Sequence, residues 1–201
     1  MRLIDYVART GKPMIISTGM ASEDEIREAV DTARAGGCSE LALLTCVSSY
    51  PAMPSDYNLS RIVDMRERFQ TVVGLSDHTL DNTCAIASIT LGGCIIEKHF
   101  TLDRKGGGAD DSFSLEPNDM KNLCESSLAA WQSIGSPEYG TKSTEKNNAQ
   151  YRRSLYFVKS LKKGDVIKID DIRSVRPGFG LPTKMFDSVV GSEVNCNVSY
   201  G

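Results

Sequence analysis

The feature that most constrains this chain is a rhythm. Four short runs of apolar and β-branched residues, Pro13-Met-Ile-Ile-Ser17, Leu41-Ala-Leu-Leu-Thr45, Thr71-Val-Val-Gly-Leu75 and Cys94-Ile-Ile-Glu97, are separated by longer segments of helical periodicity. Strand-length runs alternating with amphipathic helices predict βα units and a parallel sheet. The runs lack strict polar alternation, which predicts strands covered on both faces. Between them, Ser22 followed by Glu25 forms a capping-box signal for a helix reaching about Arg34, and Gly36-Gly37 stops it. Leu59, Ile62, Val63 and Met65 mark a second helix from about Asn58 to Phe69. A third runs from about Leu80 to Thr90, and Pro117 opens a fourth carrying Met120, Leu123, Leu128 and Trp131.

Four parallel strands fit either part of a TIM barrel or part of a doubly wound sheet. No G-x-G-x-x-G follows the first strand, which counts against a dinucleotide site. A complete barrel needs about 250 residues, so the α/β reading is an open sheet or half a barrel. The composition turns polar after Gly135. The expected organisation is a barrel-type domain over residues 1–135, a linker over 136–153 and a second unit over 154–201. That unit opens with a strand, Ser154-Leu-Tyr-Phe-Val158, turns at Lys163-Gly164-Asp165, and contains a rigid loop, Arg176-Pro-Gly-Phe-Gly180.

Composition removes several function classes. Lys plus Arg number 23 against 26 Asp plus Glu, a net charge of −3, which offers no electrostatic footprint for nucleic acid. No stretch reaches the roughly 18–20 continuous apolar residues of a membrane span, and the opening residues lack the apolar core of a signal peptide, so a cytoplasmic location is expected. The six cysteines form no C-x-x-C pair, and most sit in apolar runs, where free thiols act as small hydrophobes.

Parallel α/β folds bind ligands at the carboxyl ends of their strands. Those ends carry Ser17-Thr18-Gly19, Cys46-Val-Ser48-Ser49-Tyr50, Ser76-Asp77-His78 and Glu97-Lys98-His99. The chain has only two histidines, His78 and His99, 21 positions apart, and both fall just past a strand end. A shared metal site follows, completed by carboxylate, water and substrate oxygens, a donor set suited to Mn²⁺ or Mg²⁺. Ser17-Thr18-Gly19 before a helix is a candidate phosphate contact. Glu97 is a candidate general acid, general base or ligand. Lys98, next in the strand, should point away from it.

Taken together, Lys12-Pro-Met-Ile-Ile-Ser-Thr-Gly-Met20, Gly74-Leu-Ser-Asp-His-Thr79, Ile96-Glu-Lys-His-Phe-Thr101 and Arg176-Pro-Gly-Phe-Gly180 resemble the sialic acid synthase family, whose members join phosphoenolpyruvate to an N-acetylated amino sugar. The resemblance covers essentially the whole chain. It implies the C-terminal half (strands 5–8) of a TIM (β/α)8 barrel, followed by a partial SAF, or antifreeze-like, β-clip domain. Ser48-Ser-Tyr-Pro51 and Asp110-Asp-Ser-Phe-Ser-Leu-Glu-Pro117 are most similar to the pseudaminic acid branch. Ala109 stands where Pro is usual, and Thr45 where that branch has Lys. Position by position, the resemblance implies that His78 and His99 bind the divalent metal. Ser17, Ser48 and Ser76 would contact phosphoenolpyruvate, Glu97 and Tyr50 would lie in the catalytic centre, and Asp110 would lie near the sugar. Arg176 would reach into a partner's site within a domain-swapped homodimer. The family's phosphoenolpyruvate-binding lysines have no counterpart in these residues, so a catalytically incompetent piece of a synthase is expected. The competing expectations are an N-acetylneuraminate or legionaminate synthase, and a non-catalytic half-barrel that binds metal or sugar.

Overall fold

Each apolar run becomes a strand, and each strand hydrogen-bonds to the next one in the chain. The computed structural model describes residues 1–201, the side chain of Ala149 excepted. They divide into two units, Met1–Ser136 and Pro137–Gly201. In the first, β1 (Met14–Ser17), β2 (Leu41–Cys46), β3 (Val72–Asp77) and β4 (Ile95–Lys98) form a parallel sheet in the order β1-β2-β3-β4. A doubly wound sheet would reverse direction at a switch point. This order never reverses, which is the barrel-type winding that the family resemblance implies and that periodicity alone had left open.

The helices pack on one side of this sheet. They are α1 (Arg2–Ala8), α2 (Glu23–Ala35), α3 (Arg61–Phe69), α4 (Thr83–Thr90) and α5 (Pro117–Ile134). Met14, Leu41, Leu43 and Val73, alternate residues of three strands, join Ala8, Ile26, Val30, Ala33, Ile62, Met65 and Phe69 in the main core. A second cluster seats Leu75 against Tyr57 and Cys84, and a third seats Leu115 and Leu123 against Ala85. Ser22 caps α2 with the expected reciprocal bonds to Glu25. Two helices begin later than their periodicity suggests. Asn58 adopts φ +48°, and α3 starts at Arg61. Residues 78–82 are held as a loop, and α4 starts at Thr83. Helix α1 was not apparent from the sequence, where seven residues fall short of two clear turns of periodicity.

The strands are not covered equally on both faces, contrary to the reading of their apolar runs. The face opposite the helices presents Ile15, 58% exposed, and Val72, 49% exposed. Over the middle of that face, Leu44 is fully buried and lies across Gly74, where an added Cβ would sit 2.8 Å from Leu44 Cδ2 and press on the Ile95 carbonyl. Three of the six cysteines, Cys94, Cys124 and Cys196, are exposed, because they fall at the mouth of β4, on the outer side of α5 and in a surface turn rather than in the core.

In the second unit, β5 (Ser154–Phe157) pairs antiparallel with both β6 (Ile172–Val175) and β7 (Leu181–Pro182). Its core is Leu155, Ile167, Ile172 and Val194, bordered by Phe157, Leu161 and, from α6 (Phe186–Val189), Phe186 and Val189. Ser154 clamps the Arg176–Gly180 loop, donating its hydroxyl to the Pro177 carbonyl at 2.7 Å and accepting from the Gly180 amide at 2.9 Å. The segment 136–153, read as linker, contains a 3-10 stretch over Ser143–Tyr151. The Asp171 carboxylate accepts from the Lys168 amide at 2.8 Å and from Lys159 Nζ at 3.0 Å, and those bonds, the amide first, hold its pKa below the usual carboxylate value.

Two outcomes follow. Gly74→Ala should lower the unfolding free energy of the first unit by about 1–3 kcal/mol through overpacking, read as a lower urea midpoint. Because the folded pKa of Asp171 is depressed, its contribution is complete above the unfolded value of roughly 3.9 and is lost as pH falls through the folded value. Asp171→Asn should therefore weaken the second unit at pH 7, and the difference from wild type should vanish in acid, followed by the backbone amide signals of β5.

Candidate active site at the carboxyl ends of the strands

The pleat of β3 and β4 sorts their last residues onto two faces. Ser76 pairs with Glu97 and Asp77 with Lys98 in the parallel register, and each pair meets through its side chains. Ser76 Oγ donates to Glu97 Oε1 at 2.7 Å on the face away from the helices. Lys98 Nζ reaches Asp77 Oδ2 at 2.8 Å on the helix side, with side chains 2% and 0% exposed. One residue further on, His78 and His99 return to the Ser76–Glu97 face, with ring centroids 5.3 Å apart. Ser76, His78, Glu97, Lys98 and His99 line one cavity of about 250 Å³. Lys98 points away from Glu97, as strand alternation requires.

The tautomer of His78 follows from its surroundings. Its Nδ1 lies 2.7 Å from the Val47 carbonyl oxygen, which can only accept, so Nδ1 carries a proton, and in the neutral ring that leaves the lone pair on Nε2. Ser76 Oγ stands 3.5 Å from that Nε2. An imidazole oriented by one N–H on a backbone carbonyl is the arrangement that metal-binding histidines use. His99 Nδ1 lies 3.5 Å from Asp110 Oδ2. The two imidazoles therefore fit a divalent cation as a pair. Among the described residues, no group of three or more His, Cys, Asp and Glu side chains is assembled to hold a metal. Glu97 is engaged by Ser76 instead of completing such a set, so the remaining positions would fall to water and substrate oxygens.

Two aromatic rings complete this end of the site. Tyr50, 51% exposed, lies over His78 with centroids 4.2 Å apart and meets His99 edge-on at 5.6 Å. Phe113 sits 5.1 Å from His99 and 5.4 Å from Tyr50. Its loop is tied back to the end of β4, since the Leu115 amide donates to the His99 carbonyl at 2.8 Å and the Thr101 amide to the Leu115 carbonyl at 2.9 Å. Arg104 braces the same loop through the Ser114 carbonyl and the Asp119 carboxylate. Below His78, the buried Tyr57 hydroxyl accepts from the His78 amide at 2.6 Å, and burial pushes the Tyr57 pKa up.

Ser17 and Ser48 line a different cavity, of about 590 Å³, together with Thr18 and Gly19. Ser48 Oγ lies close over Gly19, 3.1 Å from where a Cβ would stand. Two features weaken the sequence reading of a helix-end phosphate contact here. Thr18 Oγ1 is spent on the Leu44 carbonyl, and the first turn of α2 is occupied by Glu23, Asp24 and Glu25, with the Ser22 and Glu25 amides used by the capping box. The cavity lining includes Glu25 and Glu28 and no cationic side chain. Hydroxyls, rather than charge, are what this part of the chain offers an anion.

The structure thus gathers His78, His99, Ser76, Glu97, Tyr50 and Asp110 at one strand-end site and Ser17 with Ser48 beside β1. Arg176 lies in the second unit, exposed, on the loop that Ser154 clamps. Tyr57, Phe113 and the Asp77–Lys98 pair went unread in the sequence. The first two reach the site through loops, whereas Asp77-His78 and Lys98-His99 stand in matched register, a signal that was available.

Residues 1–139 match the NeuB family and residues 152–201 the SAF domain. The pseudaminic acid synthase of Campylobacter jejuni strain 81-176 is 33% identical over 198 residues, covering 98% of this chain and 58% of that protein. The N,N'-diacetyllegionaminic acid synthase of Legionella pneumophila is 37% identical over 203 residues, covering 98% and 57%. Among solved structures, the N-acetylneuraminic acid synthetase of Leptospira borgpetersenii in complex with citrate aligns with a TM-score of 0.67 at 32% identity, over 75% of this chain and 53% of that one. The chain spans less than two thirds of the length of these relatives. A sequentially wound parallel sheet with an imidazole pair at its carboxyl edge, matched over residues 1–139 and followed by a SAF domain, makes this chain a member of the NeuB family.

Proposed function

We propose that these residues form the metal and sugar side of a synthase that condenses phosphoenolpyruvate with an N-acetylated amino sugar to give a nine-carbon α-keto acid and phosphate. The observation that carries this reading is the imidazole pair, with the His78 tautomer set by Val47 and the Ser76–Glu97 pair beside it. The names of the relatives agree with it, since they are synthases of sugar acids of this class. The favoured acceptor is 2,4-diacetamido-2,4,6-trideoxy-L-altrose, giving pseudaminic acid, on the strength of Ser48-Ser-Tyr-Pro51 and the 110–117 loop. The barrel strands are assigned as the fifth to eighth, and the working assembly as a domain-swapped homodimer in which Arg176 serves the partner's site.

In this mechanism His78 and His99 hold the divalent cation, Mn²⁺ or Mg²⁺. A cation bound there supplies Lewis acidity to the aldehyde oxygen of the open-chain sugar. The carbon–carbon bond forms between C3 of phosphoenolpyruvate and that aldehyde carbon. Water then adds at C2, and cleavage of the C2–O bond releases phosphate. Ser76 orients the Glu97 carboxylate, whose Oε2 has no side-chain partner among the described residues and takes the proton of the adding water. Tyr50 and Phe113 give the sugar an apolar wall against His99. Ser17 and Ser48 donate hydroxyls to the phosphoenolpyruvate anion. Their cavity has no cationic side chain in its lining, so these hydroxyls orient the anion without neutralising it.

The test is phosphate release by the full reading frame that contains these residues, with phosphoenolpyruvate, Mn²⁺ and the three candidate acceptor sugars side by side. Release should require all components and be fastest with the trideoxy-altrose acceptor, and His78→Ala or His99→Ala should lower kcat/KM at least about 100-fold. Release unchanged by either substitution would sink the proposal. The 201-residue chain alone should bind Mn²⁺ without releasing phosphate. Metal or sugar binding without turnover by the whole frame would favour a non-catalytic module.

A further inference from the structure

We infer that Lys98 is a positioning residue that sets the geometry of the His78–His99 pair from the opposite face of the sheet. Its ammonium group sits among four oxygens: Asp77 Oδ2 at 2.8 Å, the Thr79 carbonyl at 2.7 Å, Thr79 Oγ1 at 3.3 Å and the Asp81 carbonyl at 2.6 Å. Asp77 uses its other oxygen to accept from the Thr79 amide at 2.9 Å. Both neighbours of His78 in the chain, Asp77 and Thr79, are therefore gripped by one side chain that is itself the immediate neighbour of His99.

The consequence is mechanical. A strand of L-residues sends consecutive side chains to opposite faces, so a brace on the helix face fixes the backbone that carries the two imidazoles on the other. With three donors for four acceptors and a side chain 2% exposed, the ammonium is saturated on the helix face, and it positions rather than reacts. A surface ion pair would do little of this, because long exposed side chains hold no single geometry. Here the pair is out of water, and the two backbone carbonyls bind the loop 77–81 to the end of β4. Tyr57 supports the same loop from below through the His78 amide.

The inference rests on the reading of His78 and His99 as the metal-holding pair, and its test separates the two. Co²⁺ is titrated into the 201-residue chain, its absorption reporting the affinity. In parallel, the ring nitrogens of ¹⁵N-histidine report the tautomer, in a chain with only two histidines to resolve. Lys98→Met alone leaves the Asp77 charge buried and unpaired, so the decisive variant is Lys98→Met combined with Asp77→Leu, which removes both charges. That protein should unfold cooperatively, bind Co²⁺ about 10–100-fold more weakly, and lose the fixed Nδ1–H form of His78. Lys98→Arg should recover part of the affinity. A folded double variant with wild-type affinity and a wild-type tautomer would overturn the inference. If wild type binds no Co²⁺, the metal reading fails and the tautomer decides alone: its loss in the double variant supports positioning, and its retention refutes it. Should the double variant not fold, Lys98→Gln combined with Asp77→Asn, which also removes both charges, is read the same way, and unchanged affinity with an unchanged tautomer refutes the inference.

Discussion

The parallel register of β3 with β4 is the constraint on which the rest of the site depends. Because Ser76 stands opposite Glu97 and Asp77 opposite Lys98, four polar side chains at a strand end find partners in pairs, one pair on each face. A slip of β4 by one residue would turn Glu97 and His99 toward the helices and bring Lys98 to the open face beside Ser76 and His78, parting the two imidazoles. The register is held by burial below it. Val73 and Leu75 sit in the helix-side clusters, and Gly74 admits Leu44 from the next strand. Core packing at one end of these strands and polar chemistry at the other are thus consequences of the same alternation.

The buried Asp77–Lys98 pair shows how a costly interaction is made tolerable. Taking both charges from water carries a penalty that their mutual attraction offsets only when the remaining donors and lone pairs are satisfied. The Thr79 and Asp81 carbonyls and the Thr79 amide supply those partners, and in doing so they give the segment between β3 and α4 a single conformation. The same segment is why α4 begins at Thr83. Its first residues are engaged with a lysine from the neighbouring strand before a helical turn can form.

The site is electrostatically uneven. Around the imidazoles the chain offers ring nitrogens, a carboxylate and aromatic faces. Beside β1 it offers hydroxyls among acidic residues, a set that can orient an anion but not neutralise it.

Much of this was legible in the sequence, for physical reasons that differ by level. The strands, the α2 cap and the placement of His78, His99, Ser76 and Glu97 at strand ends follow from local rules: apolar run length, the Ser22–Glu25 reciprocal bonds, and the tendency of parallel sheets to bind ligands at their carboxyl edge. Winding direction was legible only through the motifs that carry the family resemblance, because the four runs by themselves read the same whether the chain returns on one side or reverses. The pairing order, with the helices packed on one face, gives the physical ground for the barrel type. The equipment around His78 was not legible. Val47, Tyr57 and Phe113 come from loops whose paths are set by what they pack against, and the grip of Lys98 on Thr79 and Asp81 exists only once two strands lie side by side. The sequence by itself determined which residues carry donor atoms and at which strand ends they stand, since that depends on chain order and strand length alone. The tertiary structure decided which of those donors are free and which are spent, because hydrogen bonds between distant segments form only in the folded chain.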